Sequence, residues 1–269
     1  MKTTNSTITP QPQSKSAATP PSRQPSGYWK FQFQQYGVAV ALATLLFAVL
    51  SVYLIFRRGY YDFYIANKVF AGVAAVCIGV ILLIGPLSRF SRALGRYIQY
   101  RKELGIVAFL LALIHGVVSL FFLPSKFPLS GFFGTLRWPF LFGLSATIVL
   151  VAAFVISNDR AMAAIGGKRW WWLQNWGVRF AFLLTLLHVF VMKWNGWVQW
   201  YTVGGGRDLI HPEWPGAGLL VGWFMAFVVL VRLAEFGGPR LGRAVWYVSI
   251  VALPAIYIAT FWWGRQFMR

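Results

Sequence analysis

Acidic side chains are scarce in this sequence, which has only six Asp and Glu beside 25 Lys and Arg in 269 residues. Charged residues make up 12% of the chain, about half the roughly 25% of a soluble domain. Hydrophobic residues make up 58%. So few charges are incompatible with an ordinary water-exposed surface, and they predict an all-α, polytopic membrane bundle.

Several motifs of soluble chemistry are also missing. The single Cys77 excludes an intrachain disulfide. No G-x-G-x-x-G motif follows a strand pattern, and the glycine run at 204–206 lacks the Lys and Ser or Thr of a phosphate loop. We therefore expect no nicotinamide or flavin domain. The net charge of +19 comes without a nucleic-acid-binding signature, so no nucleic acid is expected as a partner.

What the sequence does contain is a series of apolar runs, each close to the 20 or so residues that span a bilayer. A polar segment, 1–30, precedes them and is predicted to be a disordered tail without the apolar core of a signal peptide. The first six runs form a predicted domain over 36–235, and the seventh, 244–263, is an additional C-terminal helix that Pro254 is expected to kink. The runs are 36–56, 68–87, 104–123, 138–157, 174–193, 217–235 and 244–263.

Positive charge is distributed unevenly between the two sides of these runs. The N-terminal tail and the segments 88–103, 158–173 and 236–243 carry more Lys and Arg than the segments on the other side. By the positive-inside rule, the N-terminus is predicted to be cytoplasmic, in a bacterial inner membrane.

Two of the three histidines, His115 and His188, lie within the third and fifth runs. At about 1.5 Å per residue, they lie roughly 16 and 21 Å from the same side of the bilayer. Ionisable groups at this depth are usually functional, and a pair at matched depth is suited to bind one haem iron from both sides. The alternative is that each histidine hydrogen-bonds a neighbouring helix. His211 is interpreted as a solvated loop residue.

The sequence around these histidines also carries short motifs. Residues 102–105 read Lys-Glu-Leu-Gly and lead to Leu-Ile-His at 113–115, and residues 172–176 read Trp-Leu-Gln-Asn-Trp and lead to Leu-Leu-His at 186–188. With Gly-Pro-Leu at 85–87, this pattern resembles the ferric-reductase-like transmembrane domain family. Within the family it most resembles haem-binding membrane subunits of methionine-sulfoxide reductase systems.

The resemblance implies one haem b between the third and fifth spans, with His115 and His188 as iron ligands. Without a C-x-x-C-H motif, this haem would be held non-covalently. It also implies that electrons pass from a cytoplasmic flavin reductase or a quinone to an outer acceptor. That acceptor would be a periplasmic oxidoreductase, such as a methionine-sulfoxide reductase, or ferric iron.

One departure from the family concerns the cytoplasmic mouth of the bundle. The family usually has His where this chain has Gln174, which lies 14 residues before His188, as Arg101 does before His115. Helical periodicity places both on the histidine faces, where they would bind FMN, a quinone or a haem propionate rather than a second haem; the alternative is that both are interfacial polar residues in water. Gly177, near the face of His188, is expected either to let a flat ring approach the backbone or to serve close packing of helices as a small residue.

Three alternatives to a transmembrane electron-transfer subunit remain open. The chain could be a stand-alone ferric-reductase-like component, or a transporter that uses the histidines as proton relays. It could also be a structural subunit without haem. Whether it is an enzyme by itself is not decided by the sequence.

Overall fold

A computed structural model describes residues 28–90 and 92–268. Most of the predicted disordered tail therefore lies outside the described residues, while 28–30 already belong to the first helix. The described residues form nine α-helices and no strand, which confirms the all-α class. The helices are α1 (Tyr28–Arg58), α2 (Phe63–Phe90), α3 (Arg101–Val117), α4 (Leu129–Phe133), α5 (Arg137–Val155), α6 (Asp159–Ile165), α7 (Gly167–Val203), α8 (Ala217–Ala234) and α9 (Pro239–Gly264).

Seven of these helices, all except α4 and α6, lie in segments long and apolar enough to cross a membrane. They correspond to the seven apolar runs. The end of the bundle where Arg89, Arg101, Arg179 and Arg232 lie is called the arginine end below. The opposite end, with Arg57, Arg58, Lys68 and Lys193, is called the lysine end.

Helix α2 forms the centre of the bundle, with neighbours α1, α3, α7 and α8. Every fourth residue along one face is buried, because positions four apart lie on the same side of a helix. This buried stripe includes the free Cys77 and consists of Ile65, Val69, Val73, Cys77 and Ile81. A helix that packs on so many neighbours fixes the position of the others around it.

Pro86 interrupts the hydrogen bonding of α2, because proline has no N–H to donate to the carbonyl of Leu82. The guanidinium of Arg232, on α8, approaches this free carbonyl, with 3.5 Å between Nη1 and the oxygen. Arg232 Nη1 also forms an ion pair with Glu235 Oε2 at 2.6 Å. A partly buried arginine thus joins α2 to α8 at the arginine end.

Helix α7 is far longer than its apolar run, with 37 residues against the predicted 174–193. At 1.5 Å per residue it measures roughly 56 Å, well beyond the 30 Å or so of a bilayer core. Its limits are two glycines with positive φ, Gly166 at 88° and Gly204 at 79°, a conformation that favours glycine. The tryptophan-rich stretches at both ends lower the hydropathy without ending the helix.

Helices α3 and α7, which carry the two histidines, are each packed mainly on other helices. The closest packing of α3 is on α2, and that of α7 is on α5. The two helices are not among the pairs in extensive contact with each other. Space therefore remains between them, and the candidate site lies there.

Candidate functional site

His115 is held on α3 by a residue at the start of α2. Its Nδ1 lies 3.1 Å from the backbone oxygen of Asn67 and 3.2 Å from the side-chain Oδ1 of the same residue. Both oxygens only accept, so Nδ1 carries the proton and Nε2 keeps its lone pair. The Asn67 side chain is itself fixed, because its Nδ2 donates to Ser119 Oγ at 2.8 Å.

Ser119 is in reach of Asn67 because the chain changes its winding after α3. Residues Val118–Phe122 form a short π-helical segment directly after His115 and Gly116. Such segments are rare and often occur at functional sites. Here the segment brings a hydroxyl to the buried amide that orients the His115 ring.

His188, near the middle of α7, is held in the same way by α5. Its Nδ1 lies 2.7 Å from the backbone oxygen of Pro139, so this ring also exposes Nε2 as a free acceptor. Gly143, one turn further along α5, makes room for the ring. A Cβ at Gly143 would lie 3.0 Å from His188 Nδ1 and 3.3 Å from Cε1.

Both histidines line one cavity between α1, α2, α3, α5, α7 and α8. Its volume is about 480 Å³, within the roughly 300–1,000 Å³ of small-molecule and cofactor sites. The lining is mostly aliphatic and aromatic. Two glycines of the lining, Gly116 and Gly196, face open space in which a Cβ would meet no atom within 4 Å.

These features fit haem b. Metal-bound histidines almost always donate their second ring N–H to a carbonyl or carboxylate, and both rings do so here while Nε2 stays free. The apolar lining and the open glycine faces suit a flat, apolar macrocycle. No group of three or more His, Cys, Asp or Glu that could hold a metal ion occurs among residues 28–90 and 92–268.

The three other predicted site residues do not line this cavity. Gln174, near the arginine end, donates from Nε2 to the carbonyl of Ala153 at 2.8 Å. Arg101 begins α3 at the same end. A Cβ at Gly177 would meet Val149 Cγ1 at 4.0 Å, so Gly177 faces α5. The role of these residues in binding FMN, a quinone or a propionate stays a prediction.

His211 lies apart from the cavity, in the connection between α7 and α8. Its Nδ1 lies 2.9 Å from Glu213 Oε1, and its ring stacks on Trp214 with the centroids 4.9 Å apart. The side chain is therefore a partly buried loop residue with partners, rather than a freely solvated one. It makes a useful control for the two cavity histidines.

Sequence reasoning missed the residues that orient the histidines. Asn67, 1% exposed, gave a weak signal as a polar residue at the edge of an apolar run. Gly143 and the Pro139 carbonyl gave none, because nothing in a sequence tells which turn of α5 faces α7. Sequence reasoning also missed Lys68 and Lys193, which line the cavity.

Two comparisons with known proteins show what this chain is similar to. Residues 70–185 match the family described as ferric reductase like transmembrane component. That range includes His115 and ends three residues before His188. The chain is also 27% identical over 154 residues to the protein-methionine-sulfoxide reductase heme-binding subunit MsrQ of Herminiimonas arsenicoxydans.

The second match covers 56% of this chain and 62% of the relative, so the chain spans less than two thirds of that relative's length. The family range takes in α3, α5 and most of α2, and so includes His115 and Pro139, while Asn67 lies three residues before it and His188 three residues after it. The motifs, the seven-span bundle and the match over residues 70–185, less than half of the chain, show that this chain is similar to the ferric-reductase-like transmembrane family.

Proposed function

We propose that this chain binds one haem b between His115 and His188 and passes electrons across the membrane. One observation carries the proposal: two histidines from separate helices line one apolar cavity, each with Nδ1 bound to a carbonyl and Nε2 free. The name of the similar subunit, which is said to bind haem, supports the same cofactor.

Different residues are proposed to bind the iron and to orient the rings that bind it. His115 and His188 would bind the iron, while Asn67 and Pro139 fix the two ring orientations. Held by these two histidines, the haem iron would supply a one-electron change. The mostly aliphatic and aromatic walls would limit the water around it, which favours electron transfer over side reactions.

The charge distribution supports a proposed orientation of the chain in the membrane. The arginine end is proposed to face the cytoplasm of a bacterial inner membrane, in accordance with the positive-inside rule. The donor would then be a cytoplasmic flavin reductase or a quinone, and the acceptor would lie on the outer side. A periplasmic methionine-sulfoxide reductase is the proposed acceptor, since the similar subunit is named for that system; ferric iron is the alternative.

The first test is the absorption spectrum of the full chain, purified in detergent after expression with a sufficient haem supply. A reduced-minus-oxidised spectrum of a low-spin b-type haem is expected, with about one iron and one protoporphyrin per chain. Protein that folds and stays free of haem under these conditions would contradict the proposal. It would leave a transporter or a structural subunit as the function.

The second test measures transfer across a bilayer. In liposomes that hold ferricyanide inside and receive dithionite outside, the full chain is expected to speed the reduction of the enclosed ferricyanide. The His188→Ala variant, reconstituted at the same protein density, serves as the control. Equal rates with the two proteins would show that the histidine site does not conduct electrons.

A further inference from the structure

The lysine end of the cavity carries an unusual concentration of positive charge. Four cationic residues contribute to the lining of an otherwise apolar space: Arg57, Arg58, Lys68 and Lys193. A cation in an apolar cavity costs free energy unless a counter-charge or hydrogen bonds compensate it. The partners of each cation therefore show which of them would gain from a bound anion.

The two arginines have partners within the protein. Arg57 donates from Nε to the carbonyl of Trp214 at 2.9 Å, and Arg58 donates from Nη1 to the hydroxyl of Tyr60 at 3.0 Å. Both guanidiniums are thus partly satisfied by the loops that cover this end of the bundle.

The two lysines are different. Neither ammonium forms a hydrogen bond or an ion pair with the part of the chain that the structure describes; the Lys68 Nζ lies 3.7 Å from the centre of the Tyr64 ring. Arg58 is close enough to repel both lysines. Asp62 attracts Lys68, but its Oδ1 accepts from the backbone N–H of Ile65 at 2.7 Å and makes no ion pair with it.

Each lysine is also close in sequence to one of the histidines or to the residue that orients it. Lys68 follows Asn67, which orients His115. Lys193 follows His188 by five residues, or about 7.5 Å along the helix axis. Its side chain packs on the start of α8, where a Cβ at Gly218 would lie 3.6 Å from Lys193 Cγ. Lys193 thus lies nearer the lysine end than His188, and Lys68 extends its Nζ over the ring of Tyr64, one turn nearer that end than Lys68 itself.

We propose that Lys68 and Lys193 bind the two propionate carboxylates of the haem, so that the propionate edge faces the lysine end. This inference rests on the proposed haem site. Haem b carries two carboxylates on one edge, and two ammonium groups without carboxylate partners match them in number and in charge. Arg101 and Gln174, which the sequence suggested as an alternative propionate site, lie outside the cavity lining.

The sharpest test compares haem with its dimethyl ester, in which both propionates are uncharged. Apo-protein of the full chain is titrated with each compound, and the Soret band reports binding. Wild-type protein is expected to bind haem about 10- to 100-fold more tightly than the ester, which loses its charged hydrogen bonds. Equal affinity for the two compounds would overturn the propionate assignment without any variant.

Variants then test whether the two lysines cause the preference for haem over its ester. Lys68→Met combined with Lys193→Met is expected to remove most of the preference for haem over the ester, while Lys68→Arg and Lys193→Arg, which keep the charge, should retain it. Lys126→Met is the matched control, because Lys126 Nζ lies 5.6 Å from the same Tyr64 ring without lining the cavity. A double methionine variant that still prefers haem would refute the role of the lysines.

Failure of the haem function and failure of the lysine assignment give different results. If wild-type protein binds neither haem nor its ester, the haem function itself is wrong. If it binds both with axial histidine spectra and equal affinity, the haem function stands and only the lysine assignment is wrong.

Discussion

Replacing His188 or His115 by alanine is expected to abolish the low-spin b-type spectrum. Each substitution removes one of the two nitrogen ligands and leaves the iron with an open position, so the haem content per chain should fall sharply. The loss should exceed the roughly 10- to 100-fold that removal of a group behind a metal ligand costs. Haem per chain and the shape of the Soret band measure the effect.

The control for this pair is His211→Ala. His211 bonds Glu213 in a loop outside the cavity, so its loss should leave the spectrum unchanged. Size-exclusion chromatography in detergent separates loss of haem from loss of fold. A wild-type spectrum in either cavity variant would refute the ligand assignment.

Gly143→Ala is the second substitution with a large expected effect. The new Cβ would lie 3.0 Å from His188 Nδ1, so the ring must shift by a few tenths of an ångström beside the Pro139 carbonyl that orients it. We expect haem to bind about 10- to 100-fold more weakly, in line with the loss of a group that orients a metal-bound histidine. Haem titration of the apo-protein measures this change.

Gly177→Ala is the matched control on α7. A Cβ there would lie 4.0 Å from Val149 Cγ1, which is an ordinary contact, so the affinity for haem should stay close to that of wild type. The control also tests the prediction that Gly177 admits a flat ring. If Gly177→Ala weakened haem as much as Gly143→Ala, the glycine that makes room for the cofactor would have been misidentified.

Gln174, at the arginine end, shows which contacts helical periodicity can predict and which it cannot. Periodicity placed Gln174 on the His188 face of its own helix, but it gave no information about the neighbouring helix. In the structure the Gln174 amide bonds the Ala153 carbonyl, one of the last carbonyls of α5, which has no partner within its own helix. Only the close packing of α5 on α7 brings that carbonyl within reach.

Helix boundaries show a similar limit. Hydropathy found all seven spans, because crossing a bilayer requires about 20 apolar residues in sequence. It did not find the full extent of α7, since a helix continues through tryptophan-rich and polar residues as long as its backbone bonds are made. It also missed the short helices α4 and α6, which do not span the membrane.

The sequence by itself indicated the membrane class and the number of spans and predicted a matched depth for His115 and His188, because these depend on distances along single helices. Tertiary structure decided how the helices are rotated and which neighbours they meet. It thereby assigned Asn67 and Pro139 to the two rings, opened the space beside Gly143 and brought Lys68 and Lys193 to one end of the cavity. Contacts between segments far apart in the chain depend on packing, which hydropathy and spacing do not encode.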